Sequence, residues 1–223
     1  MRMELGQIFS IGASVLALAM SATTLWLTLL RKGEIKMTKP TVIFFGPDGG
    51  TGEEKGISKV FLRTLLFSSA HRGHVVENAY ARLRRGETQQ NFSIWVYGED
   101  RLARGSGLYV GAEGVATNHH FLTPSDVRNF DFAAGDYTLE IFAKIVGEKR
   151  VRRLTEINLT ITQAEAEQLR QPGNGIYFDW GPDAGRYQSH VDSRPKKPVN
   201  PPLLLQALHD GAREIPERSP ADR

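Results

Sequence analysis

Between Ile8 and Leu30 the chain carries no Asp, Glu, Lys, Arg or His, a run of 23 uncharged and mostly apolar residues. No other feature constrains the fold as strongly. At about 1.5 Å per residue such a helix is roughly 34 Å long, against a bilayer hydrocarbon core of about 30 Å. The competing reading is a cleaved signal peptide, for which Ala17-Leu18-Ala19 supplies a small-residue cleavage pattern. Yet Leu25-Trp26-Leu27-Thr28-Leu29-Leu30 prolongs the apolar run well past that point, and Arg31-Lys32 ends it. A retained single-pass helix over 8–30 is therefore expected, with Trp26 where an interfacial aromatic belongs.

The flanking charges orient this helix. Arg2 is the only basic side chain before it, whereas Arg31, Lys32, Lys36 and Lys39 follow it. The basic side ordinarily stays in the cytoplasm, so the large C-terminal body is expected there and the short N-terminus outside, at a bacterial inner membrane. The opposite orientation would make the body an exported, receptor-like domain. Within the helix Ala13, Ala17 and Ser21 recur every four residues, a stripe that would let a second helix approach closely.

Composition bounds the rest. Hydrophobic residues make up 40% and charged residues 24% of the chain, as in ordinary globular proteins. The absence of Cys excludes a disulfide framework, a thiol nucleophile, an iron–sulfur cluster and a cysteine zinc site. With 28 basic and 25 acidic residues the formal charge is only +3, so nucleic acid is not an expected partner.

Past Pro40 the hydrophobic period shifts toward two. Thr41 to Phe45, Val75 to Arg84, Asn91 to Tyr97, Leu102 to Val110 and Gly114 to Phe121 read as strands; Lys59 to Ser68 reads as strand or helix. In Asn91 to Tyr97, Phe92, Ile94 and Val96 alternate with Ser93, Trp95 and Tyr97. The clearest alternation sets Tyr137, Leu139, Ile141, Ala143 and Ile145 against Thr138, Glu140, Phe142 and Lys144. After a Gly147-Glu148 turn, Ile157, Leu159 and Ile161 repeat it. Many short strands with no interleaved helices predict an all-β antiparallel sandwich.

Ala134-Gly135-Asp136-Tyr137-Thr138-Leu139-Glu140-Ile141 resembles the Gly-x-Tyr strand start of immunoglobulin-like sandwiches, where a tyrosine hydroxyl bonds back to the preceding corner. The resemblance implies an immunoglobulin-like fold, with Tyr137 buried and bonded to the 126–134 connection. It implies no function, no catalytic residue and no cofactor.

Gln163 to Arg170 reads as a short helix, and the aromatic stretch 175–187 as a segment docked on the sandwich, since buried rings offset ordering entropy. Six of the chain's 11 prolines lie after Ser193, which predicts a disordered tail whose apolar island is Leu203-Leu204-Leu205. The expected organisation is a flank (1–7), a transmembrane helix (8–30), a basic juxtamembrane linker (31–40), a β-sandwich (41–162), a docked helix and aromatic segment (163–193) and a Pro/charge-rich tail (194–223).

The candidate sites are sparse. Gly46 to Gly56 follows a strand and is glycine-rich, but Glu53-Glu54 stands where a phosphate loop needs Lys-Ser/Thr, so a surface loop is expected. Gly-Pro-Asp at 46–48 and again at 181–183 suits type I turns. Asp48, Asp179 and Asp183 lack the single-loop spacing of an oxygen-ligand cation site. His119 and His120, neighbours on a strand, point to opposite faces and cannot simply share a metal. A hydrolase built on either with Asp179 or Asp183 is the enzymatic alternative. His71-x-x-His74 falls in a predicted loop. Asn91-Phe92-Ser93 and Asn158-Leu159-Thr160 match the glycosylation pattern but lie in predicted strands.

Basic clusters are more informative. Arg82, Arg84 and Arg85 end one strand, and Lys149, Arg150, Arg152 and Arg153 flank a hairpin. Together with Arg31, Lys32, Lys36 and Lys39 they are candidates for contact with lipid or an acidic partner, since anionic headgroups attract such residues at roughly 1 kcal/mol each. The expected function is a membrane-anchored binding protein, an accessory or assembly subunit rather than an enzyme, with no cofactor or metal. Its protein partner would be met through the helix, the sandwich or the tail.

Overall fold

A computed structural model describes residues 5–48, 57–99, 101–124 and 130–193. The 49–56 part of the glycine-rich loop and the 194–223 tail with Leu203-Leu204-Leu205 lie outside the described residues.

The uncharged run forms helix α1 (Leu5–Leu25) and ends in a π-helical turn over Trp26–Leu30. Its stretch Phe9–Leu30 is apolar and long enough to span a membrane, and none of it is buried against the body. A helix of this kind near the N-terminus serves as a membrane anchor or a signal sequence. The hydroxyls of Ser14, Ser21, Thr23, Thr24 and Thr28 donate to carbonyls one turn back, at 2.7–2.9 Å. This lowers the cost of taking them out of water.

The strands that follow are β1 (Ile35–Met37), β2 (Val42–Asp48), β3 (Ile57–Ser68), β4 (His74–Arg85), β5 (Thr88–Phe92), β6 (Ile94–Tyr97), β7 (Ala103–Arg104), β8 (Leu108–Val110), β9 (Val115–Leu122), β10 (Gly135–Ile145) and β11 (Arg152–Ile161). Helix α2 (Gln163–Leu169), opened by a Thr162/Glu165 capping box, leads to β12 (Asn174–Gly181) and β13 (Arg186–Ser193). Among the described residues every pairing is antiparallel. One sheet runs β13-β12-β2-β3-β9-β6-β7 with β1 also on β3; the other runs β11-β10-β4-β5 with β8 also on β4.

The alternation legible in β10 and β11 is the one that builds the core. Tyr137, Leu139, Ile141, Leu159 and Leu83 from one sheet join Ile43, Phe45, Leu62, Phe121 and Phe178 from the other in a single buried cluster. Phe45 lies at its aromatic centre, 5.3 Å from the Phe132 ring and 5.2 Å from that of Phe178. Tyr137 is buried, and its hydroxyl donates to the Ala133 carbonyl at 2.6 Å.

Five segments differ from the sequence reading, one of them Leu102 to Val110, which splits into β7 in the first sheet and β8 in the second. Asn91 to Tyr97 is not one strand: Phe92 ends β5 in the second sheet, Trp95 belongs to β6 in the first, and the chain crosses at Ser93. The crossing resets which residues face inward, so Phe92 and Trp95 are buried while Ile94 and Val96 are only half-buried. Gly46-Pro47-Asp48 continues β2 against β3 instead of turning. The pairing of β2 with β12 stops at Phe45, so Pro47 sits at a local sheet edge where a missing N–H is tolerated. By contrast Gly181-Pro182-Asp183 opens the β12–β13 connection, where Gly185 N–H reaches the Gly181 carbonyl at 2.8 Å. The 175–187 segment does not dock as a separate piece. It supplies β12 and the start of β13 to the first sheet, so the β body runs past residue 162, and β1 extends it into the 31–40 linker.

Candidate functional site

Helix α1 and the body are joined almost without slack. Glu34 accepts from the backbone N–H of Ser69 and donates its own N–H to the Ser69 hydroxyl, both at or below 2.9 Å. Gly33, at φ +63°, packs so tightly that a Cβ there would lie 2.6 Å from that of Ala70. Only Arg31 and Lys32 separate this fastening from Leu30. Both are exposed, as is Lys36 on β1. Lys39 lies with its ammonium 3.9 Å from the Trp180 ring centroid, and Tyr187 of β13 donates its hydroxyl to the Pro40 carbonyl at 2.7 Å.

The β10–β11 hairpin ends beside this junction. Arg152, Arg153 and Leu154 line one groove with Glu34 to Met37. The turn is tied by Lys144, which donates to the Glu148 and Lys149 carbonyls, and by Arg152 on Glu148 at 2.6 Å. Lys149 and Arg150 at the tip are exposed and enter no ion pair among the described residues.

A different arrangement holds Arg82, Arg84 and Arg153. They come together on the outer face of the second sheet around Glu140, which is only 4% exposed. Arg84 Nε lies 3.3 Å and Arg82 Nη1 4.0 Å from one carboxylate oxygen, and Arg153 Nη1 3.1 Å from the other. Strand register explains the convergence. Arg82 is directly opposite Glu140 across β4–β10, and the irregularity after Ile141 brings Arg153 of β11 opposite Phe142. The Arg82 guanidinium also covers the Phe142 ring at 4.7 Å, and that ring stacks on Tyr80 at 4.9 Å. Much of the charge of these arginines is thus committed to an internal carboxylate. Arg85 is elsewhere, donating to the Ala134 carbonyl at 3.3 Å beside the Tyr137 ring.

The histidines separate as a strand requires. His119 faces the core and accepts at Nδ1 from the Trp95 indole N–H at 3.1 Å. Burial, reinforced by His120, lowers its pKa to about 4. His120 lies on the outer face against Phe61, with ring centroids 5.0 Å apart. Burial and the Lys59 charge lower its pKa, and Asp48 opposes the shift. Asp179 pairs instead with His190, at 3.3 Å, so the structure does not bring it to either histidine. Among the described residues no group of three or more His, Asp or Glu could hold a metal.

Sequence reasoning missed Glu140, whose role is invisible until β4 and β11 flank it, and the burial of Trp95 in the core. It also missed Val146, Val151 and Tyr109, exposed apolar residues near the basic hairpin. No family model, curated protein or solved structure matches the chain. The chemistry of the site therefore rests on its geometry.

Proposed function

We propose that this is a single-pass, membrane-anchored protein whose immunoglobulin-like β-sandwich acts by binding, as an accessory or assembly subunit of a membrane-associated complex. The observation that carries this reading is the short junction. With Gly33 and Glu34 fastened to the β3–β4 turn, a body anchored through α1 stays at the bilayer surface in a restricted pose. Such a tether suits assembly, where presenting a surface at fixed height raises the effective concentration of two membrane-bound partners. The Ala13, Ala17 and Ser21 face of α1 offers a route to a second helix. The Arg31, Lys32, Lys36 and Lys39 excess supports a cytoplasmic body at a bacterial inner membrane. The Tyr137 to Ala133 hydrogen bond supports the immunoglobulin-like label.

Affinity purification of the full chain from mild detergent tests the reading. A stoichiometric protein partner is expected, and its recovery should fall when α1 is replaced by an unrelated apolar helix or the body is removed. The full chain recovered alone from native membranes would overturn it. A reporter fused after Arg223 should be active only in its cytoplasmic form.

A further inference from the structure

We infer that the end of the body next to the anchor is a second membrane contact, in which the β10–β11 hairpin tip seats on anionic lipid headgroups. The inference rests on α1 being a retained anchor, as proposed above.

The argument begins with reach. Leu30 and Gly33 are three Cα steps apart, at most about 11 Å. With α1 in a bilayer, whatever surrounds Gly33 on the body therefore lies at or near the headgroup layer. The β3–β4 turn is there, since Ser69 and Ala70 hold Glu34 and Gly33. From that turn β4 starts at His74, and the next residue, Val75, accepts the Val146 N–H at 2.9 Å and stands opposite Tyr109 of β8. Val146, Val75 and Tyr109 thus form one row across the anchor end of the second sheet.

What this row exposes is unusual for a water-facing edge. Val146 and Tyr109 are each 57% exposed and Val151 is 45% exposed. The two valines bracket a tip that also carries Lys149 and Arg150, which lack ion pairs among the described residues. Within the tip itself the one carboxylate, Glu148, is taken by Arg152. Apolar side chains beside unpaired cations fit an interface where headgroup phosphates meet acyl chains. Exposed Arg31, Lys32 and Lys36 continue the same sign to the anchor itself. Arg82, Arg84 and Arg153 are not part of this surface: Glu140 engages them on the outer face of the sheet. Charge and continuity with the anchor both favour lipid over a protein as the occupant.

Because the chain has no cysteine, single labels are unambiguous. Full-length V146C, E87C and L16C, each spin-labelled, are placed in nanodiscs of phosphatidylcholine with and without phosphatidylglycerol. Collision with a water-soluble nickel complex is then compared with collision with oxygen. Glu87 is exposed in the turn at the far end of β4 and serves as the aqueous reference. In anionic nanodiscs nickel access at V146C should fall several-fold below that at E87C, and K149E/R150E or neutral lipid should restore it. Nickel access at V146C equal to E87C in anionic nanodiscs, with L16C buried in the bilayer, overturns the inference alone. Protection appearing only in native membrane vesicles does the same and identifies a protein occupant. Protection that survives K149E/R150E and neutral lipid overturns the role of headgroup charge. If L16C itself is water-accessible, the anchor reading fails and the inference with it.

Discussion

The indole N–H of Trp95 donates to Nδ1 of His119 at 3.1 Å, from one strand of the first sheet to its neighbour and inside the core. This bond assigns the remaining imidazole proton to Nε2 and keeps the ring neutral. Burial, then His120, lowers the folded-state pKa from 6.5 to about 4, so the folded protein binds fewer protons than the unfolded chain in this range. Its contribution to stability is full above pH 6.5 and is lost as the pH falls toward 4, on the order of 3 kcal/mol in all. Melting temperature against pH for wild type and His119→Phe should therefore diverge in slope between those values. Parallel curves would show that His119 does not titrate there.

Tyr137 ties the start of β10 to the connection before it. Tyr137→Phe removes the hydrogen bond to Ala133 and should cost about 1 kcal/mol with the fold intact. Tyr137→Ala also opens a cavity beside Phe45 and should cost roughly 3–5 kcal/mol. Denaturant midpoints of the two variants measure the difference, and equal losses would mean that the hydroxyl, not the ring, carries the effect.

Removing Glu140 should hurt more than removing any one of its arginines. Glu140→Ala leaves Arg82, Arg84 and Arg153 facing one another across a vacated site, at a cost of about 1–3 kcal/mol because the guanidiniums remain partly hydrated. Arg84→Ala, with Arg153 still in place, should cost under about 1 kcal/mol. Chemical denaturation gives both values, and the reverse ranking would place the stabilising charge on the arginine side.

Gly33 is the stiff point of the junction. Gly33→Val forces a branched side chain into a left-handed backbone and onto Ala70, at a cost of about 1–3 kcal/mol. Lys32→Val, one residue nearer the helix and exposed, should be close to neutral. Thermal melts of both full-length variants in detergent test the contrast.

Truncation after Thr162 removes β12, and with it Ile176 and Phe178, which are buried in the shared core. Loss of cooperative unfolding is expected, rather than the modest drop that would follow from losing a docked appendage. A truncated chain that still melts sharply would contradict the role of β12 as a sheet strand.

Two parts of this protein were determined by its sequence without reference to the rest of the fold. The helix over Phe9–Leu30 needs only an uncharged run of sufficient length, because every backbone bond is made within the segment. The β10–β11 hairpin needs only a period of two on both arms and a turn between them, since its partners are neighbours in the chain. The rest was decided by contacts between distant segments. The residues after Asn174 became strands because β2 offered an edge for β12, a fact held in residues 42–45 and not in the aromatic stretch itself. Ser93 became a crossing because the two sheets face each other there, which alternation along one strand cannot encode. The basic residues form one class in the sequence. Strand register divides them, giving Arg82, Arg84 and Arg153 to Glu140 and leaving Lys149 and Arg150 exposed in the β10–β11 turn. Local pattern records which face a side chain takes; only pairing across strands decides which charges meet on that face.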